Sequence, residues 1–411
     1  MTFNDLSLMP SIIKAVSDQN YTQPTPIQQK AIPLVLNHKD VLACAQTGTG
    51  KTAAFAIPII QHTQNAIVHS QKPRITSLIL TPTRELAIQI GENIDNYSKY
   101  TDVRYTVIYG GVKQQKQVER LRRGVDILVA TPGRFLDLME QGYIRLDSIK
   151  TFVLDEADRM LDMGFIHDIK KIIAKLPNKR QSLFFSATLP PNIVSLSRQI
   201  LTNPIKIEVS RTSSTADTVQ QKLFYTNKNL KKSLLTHLID EYNIEQLLLF
   251  VKTKHGADRV ARDLKKQRIN AQAIHGDKAQ NQRQNALKAF KEGKVQVLVA
   301  TDIAARGIDI EKLQYVINYD IPNEPETYVH RIGRSGRAGE SGLAMSICEP
   351  EENEFVRDIE KLIKKKIKVD DNHPFPQTDK PMTAAEKKEW NKEKQRRKQE
   401  FFANRKKNRK K

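Results

Sequence analysis

Short apolar runs recur along most of this chain, separated by longer stretches in which apolar residues return every three or four positions. The first series comprises Val41–Ala45, Ser77–Thr81, Tyr105–Gly110, Ile127–Thr131, Thr151–Glu156, Ser182–Ser186 and Ile205–Val209. These runs have strand length and β-rich composition, and their alternation with amphipathic stretches predicts βαβ units and a mostly parallel sheet. The segment Arg211-Thr212-Ser213-Ser214-Thr215-Ala216-Asp217 then breaks the rhythm, with no apolar periodicity, and reads as a linker. A second series follows at Leu223–Thr226, Leu247–Val251, Ala271–His275, Val295–Thr301, Tyr315–Asn318 and Leu343–Cys348, with helical patterns such as Lys231–Tyr242 and Gly256–Gln267 between them. The pattern stops after about Lys368. The fold class expected is therefore α/β, with a first domain over residues 1–210, a linker at 211–217, a second domain over 218–368 and a tail over 369–411.

A length of 411 residues agrees with two or three folding units. Charge adds a partner class: Lys and Arg number 67 against 46 Asp and Glu, a formal net charge of +21, which favours a polyanion. The tail concentrates this excess, because residues 380–411 hold 14 Lys and Arg against 4 Glu. Such a segment is expected to be disordered in isolation. No apolar run approaches the length that spans a bilayer, and the opening Met1-Thr2-Phe3-Asn4-Asp5 lacks the basic start of a signal peptide, so a cytoplasmic protein without a membrane partner is expected. Two cysteines, Cys44 and Cys348, build neither a disulfide framework nor a zinc cluster, and the nine histidines lack paired-ligand spacing. Any metal should arrive with a ligand.

The strongest chemistry lies where two apolar runs end. Residues 45–52 read Ala45-Gln46-Thr47-Gly48-Thr49-Gly50-Lys51-Thr52, and Asp155-Glu156-Ala157-Asp158 follows Thr151-Phe152-Val153-Leu154. A nucleoside triphosphate needs backbone N–H groups around its phosphates, a lysine on the β/γ oxygens, and a hydroxyl with a carboxylate on magnesium. Gly48, Gly50, Lys51, Thr52 and Asp155 supply these, so the chain reads as an ATPase using ATP and Mg2+. Ala45 departs from the glycine usual at the loop's first position, which is tolerable at an ordinary negative φ. Glu156 could polarise the attacking water. Upstream, Gln28 in Tyr21-Thr22-Gln23-Pro24-Thr25-Pro26-Ile27-Gln28 could pair with the N6/N7 edge of adenine. Downstream, His330-Arg331-Ile332-Gly333-Arg334-Ser335-Gly336-Arg337 clusters arginines among glycines. Such a cluster is either a nucleic-acid phosphate clamp or a set of arginine fingers, and spacing alone does not choose.

With these residues in view, the chain resembles the DEAD-box RNA helicases of superfamily 2, and its compact form with a basic tail is most similar to the bacterial RhlE-like subgroup. The motifs occur in the family's order over roughly residues 1–350. They include Pro82-Thr83-Arg84-Glu85-Leu86-Ala87, Gly110-Gly111, Thr131-Pro132-Gly133-Arg134, Asp155–Asp158, Ser186-Ala187-Thr188, Gln280 with Arg283, Ala300–Asp309 and His330–Arg337. The resemblance implies two tandem RecA-like domains that close over ATP and single-stranded RNA. It also implies roles: Tyr21 stacks on adenine and Gln28 reads it, Lys51 and Thr52 hold phosphate and magnesium, Asp155 binds the metal, and Glu156 activates water. Asp309 is expected near the ribose, Arg334 and Arg337 on the γ-phosphate, and His330 with Asp158, Ser186 and Thr188 in coupling hydrolysis to closure. RNA contacts are implied for Pro82, Thr83, Arg84, Gly110, Gly111, Thr131, Arg134, Arg283 and Thr301. Hydroxyls, glycine N–H groups, helix starts and arginines contact phosphate and sugar without reading bases, so binding should be independent of sequence.

The expected function is RNA-stimulated ATP hydrolysis coupled to local unwinding of short duplexes or to RNA–protein remodelling, in a setting such as ribosome assembly or RNA decay, by a monomer. An ATP-dependent RNA clamp with little unwinding carries the same motifs. A DNA helicase is disfavoured by the Asp-Glu-Ala-Asp form. The tail reads as a nonspecific RNA tether, with Trp390, Phe401 and Phe402 available for stacking.

Overall fold

Strands buried on both faces need helices on both sides, and the alternating pattern of this chain supplies them. The computed structural model describes residues 1–46, 48–67, 73–209, 219–305, 310, 313–335 and 342–381, together with 386, 393 and 396. These residues fall into two compact units, one up to residue 209 and one from residue 219. The expected linker and most of the basic tail lie outside the described residues.

The first unit runs α1 (Pro10–Asp18), α2 (Pro26–Leu36), β1 (Val41–Cys44), α3 (Lys51–Ala66), β2 (Ser77–Leu80), α4 (Arg84–Ser98), β3 (Tyr105–Ile108), α5 (Gln115–Arg123), β4 (Ile127–Ala130), α6 (Pro132–Glu140), β5 (Thr151–Leu154), α7 (Ala157–Asp162), α8 (Ile166–Ile173), β6 (Gln181–Ser186), α9 (Pro191–Ile200) and β7 (Ile205–Glu208). The strands form one parallel sheet in the order β3-β4-β2-β5-β6-β1-β7. The two-residue period of a strand sorts its side chains between two cores. Ile79, Ile127, Val129, Val153, Leu183 and Phe185 join one face. Leu78, Leu80, Leu128, Phe152, Leu154 and Phe184 join the other. A parallel sheet brings every strand's carboxyl end to one edge, where ligands of open α/β sheets bind.

The second unit repeats the plan: β8 (Gln220–Tyr225), α10 (Lys231–Glu241), β9 (Leu247–Phe250), α11 (Lys254–Lys266), β10 (Ala271–Ile274), α12 (Gln280–Lys291), β11 (Val297–Ala300), α13 (Asp302–Ala305), β12 (Tyr315–Asn318), α14 (Pro325–Ile332), β13 (Leu343–Cys348), α15 (Asn353–Ile363) and β14 (Lys368–Val369). Its parallel sheet has the order β10-β11-β9-β12-β13-β8-β14.

One sequence boundary moves. The second domain was expected to end at Lys368, yet Lys368 and Val369 pair with Lys222 and Leu223 of β8, and the chain beyond is fastened down. Thr226 Oγ1 donates to the Phe375 oxygen at 2.7 Å, and Asn227 Oδ1 accepts from the N–H groups of Thr378 and Asp379, each at 2.9 Å. Lys222 pairs with Asp370 at 2.8 Å. This strap is held by polar bonds and by Phe375 edge-on to His237, so it carries no apolar period to announce it.

Candidate functional site

The loop between β1 and α3 is shaped by glycine. Gly48 and Gly50 sit at φ +79° and +89°, and a Cβ on Gly50 would collide with the Gln28 amide. Gly50 precedes the first turn of α3, which has no side-chain cap, so its leading N–H groups face outward from a helix start that favours anions. Lys51 is buried and its Nζ donates to the Ala45 oxygen at 2.8 Å, while Thr49 Oγ1 donates to the Gln46 oxygen at 2.7 Å. Thr52 lies in the same first turn.

Asp155 stands at the carboxyl end of β5, only 2% exposed, with its Oδ1 lacking a hydrogen-bond partner among the described residues. Burial pushes its carboxyl up to about 7, with Lys51 opposing that rise and Glu156 adding to it. A buried, under-satisfied carboxylate beside a lysine and a phosphate-type loop fits a hard cation held with Thr52. Glu156 adopts a left-handed backbone at φ 54°, a strained conformation for a residue with a Cβ. Its Oε2 accepts from Arg159 Nη1 at 2.7 Å, and both side chains are buried. Asp158 Oδ2 accepts from the N–H of Ala187 at 3.1 Å and from the N–H and hydroxyl of Thr188 at 2.9 and 3.0 Å. Ser186 Oγ donates to the Thr188 oxygen at 2.7 Å and accepts from the Asp158 N–H at 3.3 Å. The start of α7 is thereby locked to the chain leaving β6.

Ahead of α2, Gln28 closes a capping box with Thr25 and reaches the Gly50 oxygen. Tyr21 is 40% exposed, its ring stacked on Phe3 at 6.4 Å and its hydroxyl 3.3 Å from that of Tyr97, which leaves an aromatic face open to solvent.

The opposite half of the same strand edge carries different chemistry. Thr83 caps α4 through its side chain, which accepts from the Leu86 N–H at 3.2 Å. Arg84, next in sequence, lies under the turn after β3: Gly111 has φ +79°, and a Cβ there would overlap the Arg84 guanidinium, with Gly110 beside it. Thr131 begins α6 with its hydroxyl making no cap bond. Arg134 Nη2 donates to the Val112 oxygen at 3.1 Å, and its Nη1 is buried without a partner among the described residues. The order β3-β4-β2 then β5-β6-β1 thus separates two groups along one edge. Pro82, Thr83, Arg84, Gly110, Gly111, Thr131 and Arg134 form one, and Lys51, Asp155, Glu156, Asp158, Ser186 and Thr188 the other.

In the second unit Thr301 follows β11 and Arg283 lies on α12, both nearly buried. His330 is on α14 and Arg334, also nearly buried, follows it. Thr47, Asp309 and Arg337 lie outside the described residues. The chain has further buried cations that the sequence reading did not single out. Arg331 grips Asp302 with two bonds, Nε to Oδ1 at 2.6 Å and Nη2 to Oδ2 at 2.8 Å, and donates from Nη1 to Asn318 Oδ1 and the Asp320 oxygen. Lys231 Nζ lies 3.1 Å from both Asp320 and Glu352, tying α10 to the chain after β12 and to the start of α15.

This arrangement matches known proteins over both units. The family model for DEAD/DEAH box helicases matches residues 25–196, and that for the helicase conserved C-terminal domain matches residues 230–339. The ATP-dependent RNA helicase CshA of Limosilactobacillus reuteri is 43% identical over 88% of this chain and 72% of its own length. The chain belongs to the DEAD-box helicase family. The DEAD-box ATP-dependent RNA helicase CshA of Bacillus subtilis is 41% identical over 89% of the chain and 73% of its own length. Among solved structures, S. cerevisiae Dbp5 bound to RNA and ADP BeF3 aligns with TM-score 0.78 at 31% identity, covering 90% of this helicase and 95% of that chain. A DEAD box protein from the hyperthermophile Methanococcus jannaschii aligns with TM-score 0.52 at 39% identity, covering 90% and 99%. The two tandem RecA-like domains expected from the resemblance are therefore present in this helicase. The expected subgroup narrows differently, since these curated relatives carry the CshA name rather than an RhlE-like one.

Proposed function

We infer that the chain hydrolyses ATP in response to RNA and uses the cycle to separate short duplexes or strip proteins from RNA. The observation that carries this reading is the orphaned Oδ1 of Asp155 next to Lys51, at the end of a sheet whose other half presents groups suited to a nucleic-acid backbone. Lys51 and the N–H groups opening α3 bind the phosphates, and Thr52 with Asp155 would hold magnesium. The magnesium supplies charge neutralisation on the phosphate oxygens when bound. Tyr21 offers its open ring to adenine, and Gln28 ties base recognition to the loop. Glu156 positions the attacking water once Arg159 yields part of its hold. Arg334 and Arg337 are assigned to the transferring phosphoryl group, which makes both units necessary for turnover.

Arg84, Arg134, Arg283 and the hydroxyls of Thr83, Thr131 and Thr301 bind phosphate and sugar, with Pro82, Gly110 and Gly111 shaping the approach, and 2′-hydroxyl contacts favour RNA over DNA. These groups select a class of polymer, not a sequence. The relatives with the CshA name and the Dbp5 structure bound to RNA and ADP BeF3 support that class. The basic tail supports a compact, tethered, RhlE-like mode of action on ribosomal precursors or decaying RNA. A monomer in the cytoplasm is the form proposed; among the described residues no helix is long and apolar enough to cross a membrane.

ATP hydrolysis measured without nucleic acid, with single-stranded RNA and with single-stranded DNA tests the reading. RNA should stimulate most, and Lys51→Ala or Glu156→Gln should abolish the stimulated rate. Equal turnover in all three conditions, or stronger stimulation by DNA, overturns it.

A further inference from the structure

Helix α5 links β3 to β4, between the two turns proposed above to hold the RNA backbone. Its buried side is Gln117, Val118 and Leu121. On the solvent side Lys116, Arg120 and Arg123 recur at spacings of four and three, so they form one stripe about 10 Å long. Lys113 precedes the stripe, and Glu119 is the only acid from 113 to 123. All four cations are exposed, and none forms an ion pair with a described residue. Glu119 shares this face, three residues from Lys116 and four from Arg123, yet the cations outnumber it, and a face with a net positive excess attracts a polyanion.

The helix is fixed in place. Gln117 bonds both backbone groups of Tyr109, accepting from its N–H at 3.1 Å and donating to its oxygen at 3.2 Å, immediately before Gly110 and Gly111. Gln114 donates to Gln141 at the end of α6 at 2.9 Å, and Arg134 of α6 holds the Val112 oxygen just before Lys113. The stripe is therefore registered against the Gly110–Gly111 turn and against α6, on the helix that follows β3, the edge strand of the sheet.

We propose that the Lys116–Arg120–Arg123 stripe is an additional binding surface for RNA phosphates, continuing the strand's path past the Gly110–Gly111 turn along the sheet edge. The proposal rests on the reading that Arg84, Arg134 and their turns bind the RNA backbone. The stripe is reached only by RNA longer than the turns themselves occupy. Its contacts are electrostatic, so they add affinity and salt dependence but no sequence preference.

The test uses the full-length chain with Lys116→Gln, Arg120→Gln and Arg123→Gln combined, beside Arg84→Ala alone. Affinity is measured by fluorescence anisotropy for RNAs of about six and about twenty nucleotides across a salt series. The triple variant should bind the long RNA about tenfold more weakly, with a log–log salt slope flattened by about two, at roughly 0.7 per phosphate contact on a single strand. Its affinity for the short RNA should be unchanged, whereas Arg84→Ala should weaken both. An unchanged slope and affinity for the long RNA in the triple variant overturns the stripe and leaves it to an acidic protein surface. Equal losses for short and long RNA also overturn it, since the effect would then not depend on reach. If Arg84→Ala leaves both RNAs unaffected, the reading of the turns fails, while a length-dependent loss in the triple variant would still support the stripe.

Discussion

The side-chain amide of Gln28 donates from Nε2 to the backbone oxygen of Gly50 at 3.1 Å, while its Oε1 accepts from the Thr25 N–H at 2.9 Å. One side chain thus closes the box that starts α2 and holds the phosphate loop at the residue that starts α3. Gln28→Glu keeps an acceptor for Thr25 but sets an oxygen against the Gly50 oxygen. Losing that hydrogen bond costs the fold about 1–3 kcal/mol, so the first unit's melting temperature should fall by several degrees, and the loosened phosphate loop should bind ATP more weakly. Gln28→Ala removes both bonds and should lower both quantities. Nucleotide titration beside thermal melts checks this, and an undiminished affinity in Gln28→Glu would disconnect the amide from the loop.

Asp158 collects three donors from Ala187 and Thr188 on one oxygen. Asp158→Ala strands two backbone N–H groups, each costing about 1–3 kcal/mol. At about 2–4 °C per kcal/mol for a unit of this size, the first unit's melting temperature should fall by several degrees. Asp158→Asn retains an acceptor and should lose less stability. If these bonds couple hydrolysis to work, the Asn variant keeps most of its ATPase rate and loses strand displacement. Parallel loss of both activities argues for a structural role alone.

The strands were legible because each is an unbroken apolar run, and the phosphate loop was legible because glycines and a lysine at fixed spacing have few other uses. What escaped the sequence reading depends on partners distant in the chain. The arginine cluster from Arg331 to Arg337 gives no local sign of which member is spoken for, and only the fold shows Arg331 committed to Asp302. Likewise Arg159 and Glu156 form a buried pair, although the sequence offers Arg159 as an ordinary helix residue. The strap after Lys368 was missed for the opposite reason, since its anchors are Thr226 and Asn227 rather than apolar positions of its own.

His38, just past α2, stacks its ring on His62 of α3 at 4.1 Å, and the His62 ring lies 3.2 Å from the Leu36 oxygen. Burial, and then His38, hold the His62 pKa below the ordinary histidine value of about 6.5. The folded value is the lower one, so the unfolded chain takes up this proton first as pH falls. The stability contributed is complete above about pH 6.5 and is lost as pH drops through the folded pKa. His62→Gln keeps a donor for Leu36 and removes the titration. Between about pH 7.5 and 5.5 its melting temperature should therefore decline less steeply than the parent's. Parallel melting curves would remove His62 from the pH response.

The Arg331–Asp302 pair joins α14 to the start of α13, next to Thr301. Arg331 is only 2% exposed, so removing it leaves Asp302 and the Asp320 oxygen without their partner. Arg331 is buried but the Asp302 side chain is 27% exposed, so Arg331→Ala should destabilise the second unit by about 1–3 kcal/mol, chiefly through the groups left without their donor. Arg331→Lys should rescue little, because a single ammonium cannot reproduce the two-pronged bond. Denaturant unfolding of both variants distinguishes this from a purely electrostatic role, in which Lys would restore most of the loss.

The strap separates two functions that the sequence ran together. Its anchoring bonds reach as far as Asp379, and the 14 Lys and Arg against 4 Glu all follow that residue, over residues 380–411. Truncation after Asp379 should therefore leave the second unit's stability intact, weaken RNA binding and flatten its salt dependence. Truncation after Ile367 removes β14 as well and leaves Asn227, Thr226 and Lys222 without the groups they hold, so it should also lower the melting temperature by several degrees. Asn227→Ala in the full chain isolates the anchor: it should destabilise the strap while keeping every tail charge. If Asn227→Ala weakens RNA binding as much as losing the tail does, the tail acts from a fixed departure point on the second unit. If RNA binding is untouched, the tail works as a free tether, and its charge alone matters.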